Sequence, residues 1–128
     1  MSLAVFGAGA IGRGLLGELA AQAGWPVVFI EKQPEFARQL AAAGQYTVRL
    51  VGRGESVTRV TNYRVLTAPD TATIATAVRD CELAATAVGG EQLGVVAGLL
   101  APALRERVKA LPVLVCENRS RAEAVLTE

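Results

Sequence analysis

With 128 residues, of which 52% are hydrophobic and 20% are charged, the chain has the size and composition of one globular domain with a single core. Its net charge of +1 and its scattered basic residues argue against a nucleic-acid-binding surface. No apolar run approaches the roughly 20 residues of a membrane span, and no secretory signal precedes the first predicted strand, so we expect a soluble, cytoplasmic protein without a membrane partner.

The first predicted element is a buried strand, Leu3–Phe6, which leads into a glycine-rich turn. In that turn Gly7 permits a sharp change of direction, Gly9 lets the backbone approach a pyrophosphate, and Gly12 lets the next helix press against the sheet. The start of the helix offers unpaired N–H groups and a partial positive charge. Glycine-rich turns also arise from packing alone, but the position after a strand favours a dinucleotide site. We assign to this site Gly7, Ala8, Gly9, Ala10, Ile11 and Gly12.

The turn leads into a helix whose apolar residues have the spacing needed to face a sheet. These residues are Leu15, Leu16, Leu19, Ala20 and Ala23. The second strand is predicted at Val27–Ile30, and Glu31 follows it, nineteen residues after Gly12. A carboxylate at about this spacing binds the ribose hydroxyls of a dinucleotide. Glu31 and the adjacent Lys32 therefore belong to the predicted cofactor site.

The next segment combines a second helix with an alternating stretch. Pro34 starts the helix, which ends at Gly44. Residues 45–62 alternate polar and apolar side chains around a glycine-containing turn and predict a small hairpin with one exposed face. Arg64–Thr67 is predicted as the third strand of the main sheet.

The second half of the chain continues the alternation of helices and strands. We predict a helix from Pro69 to about Val78, a central strand at Cys81–Val88, and a further helix that Pro102 either bends or ends. A fifth strand is predicted at Leu111–Cys116, and Arg119–Thr127 provides one last short helix.

This repeated βα pattern predicts an α/β fold of the Rossmann type, with a doubly wound, mainly parallel sheet in the order 3-2-1-4-5 and a small β-hairpin elaboration. Ligands of such sheets bind at the carboxyl ends of the strands. The residues after the fourth and fifth strands therefore join the cofactor site, namely Ala87, Val88, Gly89 and Asn118. Asn118 suits either a hydrogen bond to the ligand or the N-cap of the last helix. Arg13 suits either a phosphate contact or an ordinary surface position.

Groups for proton transfer are scarce in this sequence. Hydride transfer to or from a hydroxyl needs such a group, but the chain has no histidine, and its two lysines are Lys32 and Lys109. Tyr46 and Tyr63 lie in the predicted hairpin region, away from the carboxyl ends of central strands. We therefore predict that the chain holds no catalytic residue.

The two cysteines, Cys81 and Cys116, lie far apart in the sequence at the margins of apolar runs. Such positions are typical of reduced thiols in a core. Without histidine, little remains from which to build a metal site, and we predict none.

Three segments together resemble the N-terminal domain of the mannitol dehydrogenase family: Phe6–Gly14, Thr86–Gly89 and Cys116–Arg121. The Tyr46–Val51 insertion also looks like that family, and the resemblance covers the whole chain. It implies the NAD-binding domain of a polyol-phosphate oxidoreductase, which oxidises mannitol 1-phosphate to fructose 6-phosphate or catalyses a related reaction. In that family the catalytic lysine, with asparagine and histidine partners, belongs to a helical C-terminal domain that nothing in this sequence matches. The resemblance therefore implies a single domain, residues 1–128, that binds cofactor and is inactive by itself.

Glu31 stands where the family often has aspartate, and because both residues carry a carboxylate, the resemblance implies that Glu31 binds the ribose hydroxyls. The adjacent Lys32 leaves the choice between NAD and NADP open. Two other interpretations are a ketopantoate-reductase-like dehydrogenase, against which Cys116–Arg121 argues, and a stand-alone NAD-sensing module. The apolar composition also predicts exposed apolar surface, through which the chain could form a homodimer.

Overall fold

The computed structural model describes residues 1–50, 54, 56–67 and 70–117. Its strands are β1 (Leu3–Phe6), β2 (Val27–Glu31), β3 (Tyr46–Leu50), β4 (Ser56–Val60), β5 (Tyr63–Thr67), β6 (Leu83–Thr86) and β7 (Val113–Val115). Its α-helices are α1 (Gly17–Ala23), α2 (Pro34–Ala43), α3 (Thr71–Arg79) and α4 (Leu93–Arg105). None of the helices described is long and apolar enough to cross a bilayer.

Five parallel strands form the central sheet, in the order β5-β2-β1-β6-β7. Counted along the main sheet, this is the predicted order 3-2-1-4-5, so the Rossmann-type fold is confirmed. In the centre of the sheet Phe6 pairs with Ile30 on one side and with Thr86 on the other. Because all strands run the same way, the residues that follow them meet at one edge of the sheet.

The core lies on both faces of the sheet because successive strand residues point to opposite sides. On one face, Ala4 and Phe6 pack in a cluster with residues of α3 and α4. On the other face, Leu3 and Val5 pack in a cluster with Leu16 and with residues of α1 and α2. Both faces are buried, which is why the central strands are continuously apolar.

The predicted strands of the second half are longer than the observed ones. The fourth predicted strand, Cys81–Val88, is limited to Leu83–Thr86, because Val88 and Gly89 donate their N–H groups to a side chain instead of a neighbouring strand. The fifth, Leu111–Cys116, is limited to Val113–Val115. Pro112 precedes that strand and has no N–H group to donate to the sheet.

Helix boundaries also differ at two places. Pro102 lies inside α4 and does not end it, since the helix continues to Arg105. The helix predicted from Pro69 to Val78 is observed at Thr71–Arg79. The predicted last helix, Arg119–Thr127, lies outside the described residues.

The first helix begins with an irregular turn that the sequence did not predict. Gly12–Leu16 is π-helical, and α1 continues directly from it. Leu16 and Ala20 face the sheet as predicted, but Leu15 and Leu19 are 55% and 54% exposed. Ala23 is also exposed, so the prediction was wrong for these three residues. Leu15 and Leu19 instead border an open cavity beside the β3–β4 hairpin, together with Val48 and Ser56.

The predicted hairpin is confirmed as the antiparallel pair β3 and β4, which forms a small separate sheet. Tyr46 at the start of β3 donates its hydroxyl to the carbonyl oxygen of Arg13 at 2.9 Å, within the π-helical turn. The rings of Tyr46, Tyr63 and Phe29 form a cluster with centroids 5.4 to 6.4 Å apart. The hairpin is therefore anchored against the helix that follows the glycine-rich turn.

Candidate cofactor site

A cleft of about 170 Å³ opens at the edge where β1, β2 and β6 end. Its floor and walls are mainly apolar, and Glu31 and Lys32 add charged groups. The other lining residues are Phe6, Gly7, Gly9, Ile30, Ala87, Val88, Gln92, Val95, Val96 and Leu99. Six of the predicted site residues, from three separate segments, thus line one cavity: Gly7, Gly9, Glu31, Lys32, Ala87 and Val88. Ala8, Ala10, Ile11, Gly12 and Gly89 are not among its lining residues.

Two glycines of the first turn are required by the fold itself. Gly7 has a φ angle of 102°, which L side chains rarely adopt, and a Cβ there would approach the Ala87 carbonyl oxygen closer than 3.0 Å. A Cβ on Gly12 would approach the Gly7 carbonyl oxygen equally closely and lie 3.4 Å from a methyl group of Val5. These contacts explain both glycines without reference to a ligand.

Gly9 differs from these two glycines. Its φ angle lies outside the left-handed region, and a Cβ built on it would have no atom within 4 Å. The fold therefore leaves room for a side chain at this position, and that room opens into the cleft. Since the first N–H groups of the following helix have no acceptor within the helix, the same place suits an anionic group.

Glu31 lies at the end of β2 and is only 8% exposed. One carboxylate oxygen accepts the backbone N–H of Ala8 at 3.1 Å, and the other accepts that of Gln33 at 2.9 Å. This carboxylate therefore fixes the glycine-rich turn to the end of β2. An ionised carboxylate has about four acceptor positions, so two remain for a ligand in the cleft.

The remaining residues of the turn differ in exposure. Ala8 is fully buried, whereas Ala10 and Ile11 are exposed. Arg13 is half-buried, and its guanidinium carbon lies 5.0 Å from the centroid of the Phe36 ring. Its Nε atom has no hydrogen-bond partner among the described residues. Arg13 is thus not a fully exposed surface arginine, and a phosphate contact by this residue stays a prediction.

A second loop, Ala87–Gly89, forms the opposite wall of the site. The Ala87 N–H donates to the Phe6 carbonyl oxygen at 2.8 Å, which holds the loop against β1. The Val88 and Gly89 N–H groups donate to the two carboxylate oxygens of Glu117, at 3.1 and 2.9 Å. Sequence reasoning did not assign Glu117 to the site. The available signal was a carboxylate directly after one strand, next to a Gly-Gly pair directly after its neighbour.

The predicted role of Asn118 falls on a residue outside the described part of the chain. Tyr46 and Tyr63 serve structural contacts instead of lining the cleft: their hydroxyls donate to the carbonyl oxygens of Arg13 and Leu40. Burial raises the pKa of both phenols above the ordinary value. Both therefore stay protonated hydrogen-bond donors at neutral pH.

The two thiols are free, and no cluster of possible metal ligands occurs within the described residues. Cys81 is buried as expected, whereas Cys116 is only half-buried. Desolvation raises the pKa of each thiol, so neither has the thiolate character of a reactive cysteine.

Comparison with known proteins places the chain in a family. Residues 1–128 match the family model described as "Mannitol dehydrogenase Rossmann domain". The "Mannitol-1-phosphate 5-dehydrogenase" of Arthrobacter sp. (strain FB24) is 38% identical over an alignment of 127 residues, and the match covers 96% of this chain and 33% of that protein. The protein of the same name from Brevibacillus brevis (strain 47) is 33% identical over 117 residues, covering 88% of this chain and 30% of the relative. The protein of the same name from Lacticaseibacillus casei (strain BL23) is 35% identical over 119 residues, covering 88% of this chain and 31% of the relative.

The chain spans about a third of the length of these curated relatives. The Rossmann domain of a dehydrogenase holds a nicotinamide dinucleotide, which is the cofactor class that these matches imply. The resemblance noted from the three sequence segments is therefore confirmed: the chain belongs to the mannitol dehydrogenase family and comprises its Rossmann domain.

Proposed function

We propose that this chain is an NAD-binding domain whose adenosine half-site is the cleft between the glycine-rich turn and the start of α4. The observation that carries the proposal is the combination of two features at one cavity. Gly9 leaves open a space that the fold does not use, and the buried Glu31 keeps acceptor positions available. The first feature suits a pyrophosphate and the second suits ribose hydroxyls.

The size and lining of the cleft support this assignment. A volume of about 170 Å³ is below the ~300 to 1,000 Å³ of complete ligand pockets, so the cleft suits part of a dinucleotide. Apolar side chains of Ile30, Val88 and Leu99 in the lining suit a heterocyclic base. The bound dinucleotide would supply the hydride chemistry, while Glu31 and the turn amides would bind and orient it.

For the whole protein we propose a polyol-phosphate oxidoreductase, which converts mannitol 1-phosphate to fructose 6-phosphate or catalyses a related reaction. The names of the relatives and their identity to this chain over most of its length support the proposal. We propose that the proton-transfer residue belongs to a C-terminal domain, so residues 1–128 bind cofactor without turning over substrate. The site residues proposed for cofactor binding remain those of the sequence analysis, with Gly9 and Glu31 as the two best supported.

The test is a titration of the 128-residue chain with NADH, followed by fluorescence or calorimetry. Gly9→Val fills the open space, and we expect it to weaken binding by at least tenfold while the melting temperature stays near that of the wild type. Gly14→Ala is the matched control, because a Cβ there also meets nothing within 4 Å, and it should bind normally. No saturation of the wild-type chain at millimolar NADH would contradict the proposal.

A second titration addresses the choice between NAD and NADP. The Glu31 carboxylate repels a 2′-phosphate in the cleft, whereas the neighbouring Lys32 attracts one. We propose NAD, because Glu31 is buried and fixed by two hydrogen bonds while Lys32 is an exposed, flexible cation. NADPH should bind at least tenfold more weakly than NADH. Equal affinities for the two cofactors would contradict the choice of NAD.

We further propose that the chain self-associates through an apolar surface beside α1. Ile11, Leu15 and Leu19 form an exposed stripe on the first helix, and Leu19 also borders an apolar groove of about 190 Å³ that includes Leu114. Sedimentation should show concentration-dependent dimers that Leu19→Glu abolishes and the control Val108→Glu, at a fully exposed site, leaves intact. A wild-type chain that stays monomeric at high concentration would contradict this. If NADH changes the assembly state, the NAD-sensing module becomes the better interpretation.

A further inference from the structure

Glu117 holds a second backbone turn beside the proposed cofactor cleft. It directly follows Cys116, whose N–H donates to the Thr86 carbonyl oxygen at 3.0 Å, so its backbone is fixed next to the end of β6. From there its two carboxylate oxygens accept the N–H groups of Val88 and Gly89, at 3.1 and 2.9 Å. Both interactions are charge-assisted, which makes them about twice as strong as neutral hydrogen bonds.

The loop that Glu117 holds forms part of the cleft wall. Ala87 and Val88 line the cavity, and their atoms approach the glycine-rich turn so closely that Gly7 has no room for a Cβ. Gly89 has φ and ψ angles of 90° and 138°, a backbone conformation that a flexible glycine leaves easily unless contacts hold it. Without Glu117, the hydrogen bonds described for this loop are those from the Ala87 N–H to Phe6 and from the Gln92 N–H to the Gly89 carbonyl oxygen, at 2.8 and 2.9 Å. The N–H groups of Val88 and Gly89 would then have no acceptor among the described residues.

We propose that Glu117 is a positioning residue for the cofactor: its carboxylate holds the Val88–Gly89 amides so that the loop keeps the cleft in its binding shape. This inference rests on the proposed NAD-binding function. Glu117 and Glu31 then play parallel parts, because each carboxylate accepts two backbone N–H groups and each fixes one wall of the same cleft. Glu31 faces the ligand, whereas Glu117 acts through the loop.

The expected effect follows from the population of the binding-competent loop. When a loop is competent in only a fraction of molecules, the apparent affinity falls by that fraction. Loss of both charge-assisted bonds in Glu117→Ala should lower NADH affinity about tenfold. Glu117→Gln keeps one acceptor oxygen and should lower affinity about threefold.

The control is Glu91→Gln, which also removes one negative charge near the cleft. Glu91 is exposed and has no hydrogen bond or ion pair in the described part of the chain. Any general effect of charge on the binding of an anionic cofactor should therefore appear in this variant too. We expect Glu91→Gln to bind NADH as the wild type does, or slightly more tightly.

Amide hydrogen exchange supplies a readout that general destabilisation does not reproduce. In the Glu117 variants the Val88 and Gly89 amides should exchange faster and their proton resonances should move upfield, while amides of β1 and β2 keep their protection. Unchanged exchange at these two amides, unchanged NADH affinity, or tighter NADH binding would each overturn the inference. A wild-type chain that does not bind NADH would instead contradict the proposed function, and the exchange data would still test whether Glu117 holds the loop.

Discussion

The substitution Gly12→Ala tests whether the glycine-rich turn and the first helix are as closely packed as the structure indicates. The new Cβ would lie closer than 3.0 Å to the Gly7 carbonyl oxygen, 3.2 Å from the Gly7 carbonyl carbon and 3.4 Å from the Val5 side chain. Because the main obstacle is backbone, relief requires the turn to move. Overpacking of this kind costs about 1 to 3 kcal/mol, and we take the upper end. Alanine in place of glycine returns up to about 1 kcal/mol through helix propensity.

The net loss for Gly12→Ala is therefore about 2 kcal/mol. With an unfolding entropy of about 2.1 cal/mol/K per residue, this loss lowers the melting temperature of a chain of this length by about 7 °C. Gly14→Ala is the matched control, since its Cβ meets no atom within 4 Å, and it should be neutral or stabilising by up to about 1 kcal/mol. Thermal and urea unfolding followed by circular dichroism measures both variants. Equal melting temperatures for the two would refute the packing argument.

Three further predictions concern contacts outside the cleft. Gly17→Ala should lower stability, because its Cβ would collide with the Tyr46 hydroxyl, and Tyr46→Phe should restore part of that loss; additive effects in a double-mutant cycle would contradict this. Burial raises the native pKa of Tyr46, so the native state keeps its proton above pH ~10 while the unfolded state loses it, and stability falls as pH rises. Above that pH, the free energy of unfolding measured in urea should fall less steeply with pH for Tyr46→Phe than for the wild type. Equal dependence on pH in the two proteins would contradict a raised pKa for Tyr46. Arg107 donates to four backbone carbonyl oxygens, those of Arg79 at the end of α3, of Cys81 after it, and of Lys109 and Ala110 before β7. Arg107→Ala should therefore cost about 2 kcal/mol in urea unfolding, whereas Arg105→Ala, at an exposed site, should cost little.

The main sheet could be predicted from sequence because its strands are apolar on both faces and are separated by helical segments. Few sheet topologies are compatible with that pattern, and the observed strand order is the predicted one. Strand ends were less predictable. Apolar residues such as Ala87 and Val88 continue past the last sheet pairing, and only the position of Glu117 shows where the loop leaves the sheet.

The exposure of Leu15 and Leu19 shows a second limit of sequence patterns. Helical spacing indicates which residues share a helix face, but the width of the covered surface depends on which elements pack there. Leu16 and Ala20 belong to the core cluster of the sheet, whereas Leu19 borders an open apolar groove and Leu15 is exposed. The contact at the π-helical turn Gly12–Leu16 is likewise tertiary, because the Tyr46 hydroxyl that donates to the Arg13 carbonyl oxygen comes from 33 residues further along the chain.

For this protein, the local sequence determined the class of fold, the glycine-rich turn and the carboxylate at the end of β2, because each depends on residues close together in the chain. Tertiary structure alone distinguished the three glycines: Gly7 and Gly12 are required by neighbouring backbone, and Gly9 borders open space. It also brought Glu117 to the Val88–Gly89 loop across 28 residues of sequence. The parallel pairing of β6 with β7 brings the carboxylate that follows one strand to the N–H groups that follow the other, and no local sequence pattern encodes this proximity.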